Sequence, residues 1–172
     1  VWHLDRLISA LQNRESIPSK TAVLTFDDAY SSIYDTGWPL LKEFGFPMTL
    51  FVSTDPIDNN QRGYMNWDQI REMANEGVII ANHMVFHPHM VDAKPGENNE
   101  QRLARLREEL LFAQERIRAE TGQDHKIMAY PYGEFDDDIT AMIEELGFVG
   151  LAQNSGAVGY YSDFTALPRY PL

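Results

Sequence analysis

The chain carries AVLTFDD at residues 22–28, a short apolar run rich in β-forming residues that ends at two adjacent carboxylates. Such a run predicts a buried strand, because strands covered on both faces are continuously apolar. Similar runs follow at residues 48–52, 78–81, 126–130 and 148–152. A sixth strand is predicted to open at Ala166-Leu167, with Pro168 at its edge.

Helical segments are predicted between these strands, at residues 2–12, 31–44, 66–77, 103–117 and 136–146. The clearest of them has apolar residues at alternating steps of three and four, at Leu103, Leu106, Leu110, Ala113 and Ile117. Residues 55–63 are predicted to form a loop. The alternation of strand and helix predicts a parallel α/β architecture. The length predicts a single domain over residues 1–172, with truncation at the C-terminus left open.

Composition excludes several classes of function. The 26 acidic and 14 basic residues give a net charge of −12, which disfavours nucleic acid as a partner. The chain has no cysteine, so disulfides, thiol catalysis and cysteine metal sites are excluded. No apolar run approaches the roughly 20 residues that span a bilayer. The chain begins at Val1 without a recognisable signal peptide, which we expect to have been removed or never included.

Side chains suited to chemistry follow three of the predicted strands. Asp27 and Asp28 come after the first, His83 after the third and Tyr132 after the fourth. In parallel α/β folds the carboxyl ends of the strands share one face, and sites lie there. We therefore expect these three segments to form one pocket.

The residue types in this predicted pocket suit a metal site. His83 and His87 are spaced i, i+4, which would place two imidazoles on one side of a helical turn. Adjacent carboxylates repel each other unless a cation compensates, and a metal bound to one leaves the other free as a base. Surface or capping histidines, and a solvated strand end with a helix-capping aspartate, are the alternatives left open.

A turn in the sequence Tyr-Pro-Tyr-Gly occupies residues 130–133. Proline and glycine around an aromatic residue favour a fixed turn, which could aim a backbone N–H at a developing oxyanion. An ordinary loop is the alternative.

Together these segments resemble the polysaccharide deacetylases with the NodB homology domain, carbohydrate esterase family four. The resemblance rests on Thr-Phe-Asp-Asp at residues 25–28, on His-x-x-x-His at 83–87 and on the turn at 130–133. It is nearest to the poly-N-acetylglucosamine deacetylase subgroup, and it implies a distorted, incomplete (β/α) barrel. It further implies the metal ligands Asp28, His83 and His87. It assigns catalysis to Asp27 as the base and to Tyr132, whose backbone N–H stabilises the oxyanion.

Several positions depart from the family pattern. Ala29 replaces a glycine, and Met84 replaces a serine or threonine whose hydroxyl ties down the metal loop. Ala129 stands where many members have an arginine that orients the base. Arg169 is either a substitute for that cation or a surface charge. The family's proton donor, in a Leu-x-His motif, has no counterpart after Tyr132.

The resemblance implies a metal-dependent hydrolase that removes N-acetyl groups from a polysaccharide containing N-acetylglucosamine. Zinc is the expected ion, with cobalt, nickel or manganese as alternatives. The alternative functions are a catalytically impaired glycan-binding module and an esterase for another acetylated substrate. The expected partner is a polysaccharide or oligosaccharide, without nucleic acid or a membrane span, and the oligomeric state is left open. The expected location is the periplasm or the exterior of a bacterium.

Aromatic side chains are available to stack on a sugar ring, although such residues more often pack in the core. The candidates are Tyr30, Tyr64, Trp67 and Phe86.

Overall fold

Five short parallel strands form one sheet whose spatial order follows the chain, β1-β2-β3-β4-β5. The structure is a computed structural model and describes residues 1–171. The strands are β1 Thr25–Phe26, β2 Thr49–Val52, β3 Ile79–Asn82, β4 Ile127–Ala129 and β5 Val149–Leu151. Each overlaps one of the five apolar runs, so these predicted strands are confirmed.

One helix precedes β1, and the others connect successive strands. They are α1 Leu4–Gln12, α2 Trp38–Glu43, α3 Thr54–Asp58, α4 Trp67–Asn75, α5 Asn99–Thr121 and α6 Asp137–Glu145. The helix predicted over residues 31–44 is divided, because a π-helical turn at Ile33–Gly37 precedes α2. Pro39 lies in the first turn of α2.

The sheet curls into a half-barrel in which sequence neighbours pair in parallel from β1 to β5. Strand β2 shows that both faces of the sheet are covered. Leu50 and Val52 pack into one apolar cluster, whereas Phe51 between them packs into a second cluster with Leu4 and Ile8 of α1. Side chains that alternate between two buried faces explain the continuously apolar strands. The predicted incomplete (β/α) barrel is confirmed.

Helix α5 is the longest helix and packs against β3. Its N-terminus is closed by a capping box between Asn98 and Gln101, and it ends at Gly122 in the left-handed conformation. Leu106 and Leu110 are fully buried on its inner face. Over residues 1–171, no helix combines the length and the apolarity that crossing a bilayer requires.

Two predicted elements are corrected. The loop predicted at residues 55–63 begins with the short helix α3, which tolerates Pro56 because the first turn leaves its N–H groups without intrahelical partners. The sixth strand predicted at Ala166 is reduced to one isolated bridge between Leu151 and Leu167. Pro168 has no N–H with which to extend that ladder.

Candidate metal centre

The ends of β1 and β3 bring one carboxylate and two imidazoles together. His83 Nε2 lies 3.5 Å from Asp28 Oδ1, and His87 Nε2 lies 3.4 Å from the same oxygen. One nitrogen or oxygen from each residue lies within 4.8 Å of the other two. Ligand atoms about 2.0–2.1 Å from a tetrahedral zinc ion are about 3.3 Å apart. The spacing and the donor types therefore fit one divalent cation.

A hydrogen bond from the neighbouring strand orients His83. The imidazole Nδ1 lies 2.8 Å from the Ala129 carbonyl oxygen at the end of β4. A carbonyl only accepts, so Nδ1–H donates, and Nε2 is the ring nitrogen that faces Asp28. The side chain is almost fully buried, which holds the ring in this orientation. Such a bond to the second ring nitrogen is the usual partner of a metal-binding histidine.

The other two residues of the cluster, His87 and Asp28, favour the protonation states that suit metal binding. Burial lowers the pKa of His87 below its ordinary value of 6.5, and the neighbouring His83 lowers it further. The hydrogen bond to His83 holds the pKa of Asp28 below its ordinary 3.8, although partial burial opposes this. At neutral pH the site therefore presents a neutral imidazole and a charged carboxylate.

The backbone between the histidines is not helical, which corrects the geometry expected from their i, i+4 spacing. Residues 83–87 form an irregular loop, with Met84 at φ 67° and His87 at φ 51°. The amides of Met84, Val85 and Phe86 bond to side chains of β3 and α5 rather than to carbonyl groups of a helical turn. The two imidazoles still lie side by side, but an irregular loop positions them rather than a helical turn.

Asp27 is held by a two-pronged ion pair with Arg169. The guanidinium Nη1 lies 2.8 Å from Oδ1 and Nη2 lies 2.9 Å from Oδ2. Arg169 is itself fixed, because its Nε donates to the Ala152 carbonyl oxygen at 2.8 Å. Both side chains are mostly buried. Of the two interpretations of Arg169, the structure therefore supports a cation that orients Asp27, in place of the arginine missing at Ala129.

Tyr132 lies beside the histidines in a turn of 3-10 type, Pro131–Gly133, with φ 57°. Its ring meets the His87 ring edge-on at 4.4 Å and stacks on the His89 ring at 4.0 Å. His89 in turn bonds to Glu134 at 2.9 Å. The segment after β4 therefore lies beside the segments after β1 and β3, and the predicted convergence of these three segments is observed.

A cleft of about 450 Å³ opens over these residues. Its lining is Asp27, Asp28, Tyr30, Ser53, Tyr64, His83, Phe86, His87, Tyr132 and Gln153. Trp67 is not among them, because it is buried and its Nε1 donates to Asp58. Ser53 and Gln153 were not predicted, although each follows a strand within two residues, the same rule that identified Asp27.

Comparison with known proteins places these observations in a family. The polysaccharide deacetylase family model matches residues 14–151. The chain is 24% identical over 165 residues to the poly-beta-1,6-N-acetyl-D-glucosamine N-deacetylase of Staphylococcus aureus, covering 92% of this chain and 56% of that protein.

Solved structures share the fold. The BpsB deacetylase domain from Bordetella bronchiseptica superposes with a TM-score of 0.89 at 25% identity, covering 98% of this chain and 77% of that one. The Streptococcus pyogenes deacetylase PplD in complex with acetate gives 0.87 at 24% identity, covering 98% and 72%.

The chain spans about half the length of the curated relatives it matches. The matched residues 14–151 contain all three motif segments, at 25–28, 83–87 and 130–133. This chain therefore belongs to the polysaccharide deacetylase family.

Proposed function

We propose that this chain is a metal-dependent deacetylase that removes N-acetyl groups from a polysaccharide containing N-acetylglucosamine. One observation carries the proposal: Asp27, fixed by Arg169, lies next to the cluster of Asp28, His83 and His87 in one cleft. The Staphylococcus aureus relative, named for action on poly-beta-1,6-N-acetyl-D-glucosamine, suggests the substrate class. As part of the same proposal, the protein acts in the periplasm or at the cell exterior.

The proposed roles of the residues follow from their positions. Asp28, His83 and His87 would hold the ion, for which zinc suits the donor set and cobalt, nickel and manganese are alternatives. When bound, a divalent ion supplies Lewis-acid polarisation of the carbonyl and activation of water.

Asp27 is placed to accept the proton of the attacking water at a carboxylate oxygen, as the general base. Arg169 keeps both oxygens of that carboxylate in fixed positions. The backbone N–H of Tyr132 would donate a hydrogen bond to the oxyanion that forms when the carbonyl is attacked. The attacking water gives one proton to Asp27. The departing sugar amine takes up one proton, and the reaction balances when Asp27 returns the proton to it.

Three departures from the family pattern first suggested an impaired, glycan-binding relative: the absent Leu-x-His proton donor, Met84 and Ala129. For Ala129, the Arg169 guanidinium that bonds both carboxylate oxygens of Asp27 supports the proposal that Arg169 takes the place of the absent arginine. At Met84 the hydroxyl is missing, but the Met84 amide donates to Asn82 Oδ1 at 2.8 Å and the loop remains tied. These contacts favour an active deacetylase over the binding module.

Acetate release from N-acetylglucosamine oligomers in the presence of zinc tests this proposal. We expect release by the parent chain, and a loss of about 100-fold or more in Asp27→Asn, because general-base catalysis contributes 10²–10⁴-fold. Zinc should remain bound in that variant. Oligomer binding without acetate release by the parent would indicate the binding module. Acetate released only from acetyl-xylan or an aryl acetate would indicate an esterase.

A further inference from the structure

Helix α5 contributes a carboxylate to the loop that carries the proposed metal ligands. Glu109 Oε1 accepts hydrogen bonds from the backbone amides of Val85 at 3.2 Å and Phe86 at 3.0 Å. These two residues lie between His83 and His87 in the chain. We propose that Glu109 is a positioning residue for the metal centre, setting the relative placement of the two imidazoles. This inference rests on the proposed metal-binding role of the two histidines.

The same loop is bonded on its other side by the start of α3. The Thr54 and Asp55 amides donate to the carbonyl oxygens of Met84 at 3.3 Å and Val85 at 3.0 Å. Ser53 Oγ donates to the His83 carbonyl oxygen at 2.8 Å. The loop is therefore clamped, with its carbonyl groups bonded to the N-terminus of α3 and two of its amides bonded to Glu109.

The conformation of the loop explains why it needs this clamp. Met84 and His87 both have positive φ, which is unfavourable for residues with a Cβ atom. The Met84 side chain is fully buried in an apolar cluster and carries no hydroxyl that could tie the loop. Contacts with other elements must therefore hold the loop, and a charged acceptor such as Glu109 forms the stronger kind of hydrogen bond.

A second anchor joins the loop to α5, but it is less suited to a test. Asn82 Oδ1 accepts from the Met84 amide, and Asn82 Nδ2 donates to Leu110 O at 3.0 Å and to Gln114 Oε1 at 3.1 Å. Asn82 is fully buried in β3, so its removal would disturb the sheet. Glu109 is half-buried, and its side chain can be changed with less effect on the core.

The test measures metal binding directly in the full chain, with Glu109→Ala, Glu109→Gln and the exposed neighbour Glu108→Ala as the control. The readouts are the zinc Kd, from competition with a chromophoric chelator, and the visible absorption of the cobalt-loaded protein. Glu109→Ala should raise the Kd about 10-fold or more, as removal of supporting groups around metal ligands commonly does. Glu109→Gln keeps a neutral acceptor and should fall in between, whereas Glu108→Ala should match the parent.

The cobalt spectrum separates positioning from a merely structural role. Loss of general stability lowers the melting temperature but leaves the spectrum of the folded protein unchanged, whereas displaced imidazoles change its intensity. A folded Glu109→Ala variant with the parent's zinc Kd and cobalt spectrum would overturn the inference. If Glu109→Ala does not fold, Glu109→Gln decides: a Kd raised several-fold supports the inference, and the parent's Kd overturns it. Acetate release is not needed, so failure of the proposed activity is distinguishable from failure of this inference.

Discussion

Arg169 holds both carboxylate oxygens of Asp27, across 142 positions of the chain, through two hydrogen bonds of 2.8 and 2.9 Å. A planar guanidinium matches a carboxylate in this two-pronged way, and a lysine ammonium does not. The pair fixes the direction in which Asp27 presents its oxygens to the cleft. Asp28, the next residue, is turned toward the two histidines, so two adjacent aspartates have separate partners.

Removal of this guanidinium should reduce catalysis. We expect Arg169→Ala to lower the rate of acetate release by about 10- to 100-fold, because a misplaced base loses the benefit of orientation. Arg169→Lys should retain more of the rate than Arg169→Ala, because the lysine ammonium keeps a positive charge near Asp27. The control is Arg118→Ala, which breaks an exposed pair with Glu115. An Arg169→Ala rate equal to the parent's would show that Asp27 needs no such support.

Met84 should be required for stability rather than for chemistry. Its side chain is fully buried among apolar residues that include Leu106 and Tyr130. Met84→Ser would restore the family's hydroxyl but leave a cavity, so we expect the free energy of unfolding to fall by about 2–5 kcal/mol. Met84→Leu, which conserves volume, should cost less than about 1.5 kcal/mol. Urea unfolding of the metal-free chain measures both, and equal stability of Met84→Ser and the parent would refute this expectation.

Substitutions at Tyr132 separate the role of its backbone N–H from the role of its side chain. If its N–H is the acting group, Tyr132→Phe should keep acetate release within about 2-fold of the parent, because phenylalanine preserves the amide and the ring. Tyr132→Ala loses the ring contacts with His87 and His89 and should fall about 10-fold, since small misplacements at a site are costly. Steady-state rates with an N-acetylglucosamine oligomer measure this, and an inactive Tyr132→Phe would assign the role to the hydroxyl.

Metal binding should persist into mildly acidic solution. Protons compete with the ion for an imidazole, and burial lowers the pKa of His87 below 6.5, so its neutral form survives to lower pH than in an exposed histidine. We therefore expect protonation of His87 to raise the zinc Kd only below pH 6.5, the ordinary pKa of a histidine. In the metal-free chain, the unfolded state takes up this proton before the folded state does, so stability should fall as the pH drops below 6.5. A zinc Kd that already rises near pH 7 would contradict this account.

The sequence was sufficient to predict the sheet and the location of the site. Continuous apolar runs identified the five strands, and the rule that parallel strand ends share one face brought Asp28, His83 and Tyr132 to one cleft. These inferences succeed because they depend on local patterns and on one topological rule.

The contacts that refine the site could not be predicted in this way. The sequence left Arg169 open between a cation for the base and a surface charge, and nothing in it shows that Glu109 meets the loop at Val85, because long-range partners depend on the packed fold. The i, i+4 spacing of the histidines suggested a helical turn, but bonds from α3 and α5 impose a loop instead. Trp67 was a candidate for sugar stacking, yet its indole is buried against Asp58.

A zinc titration of the chelator-stripped chain, followed by acetate release from an N-acetylglucosamine oligomer, tests the central claim most directly. Among residues 1–171 the structure contains one such cluster, Asp28, His83 and His87. It predicts a rate near zero without metal, a linear rise with added zinc and saturation at about one equivalent per chain. Asp28→Asn should need a large excess of zinc to reach any rate. A rate that is independent of zinc, or that saturates only at several equivalents in the parent chain, would contradict the account.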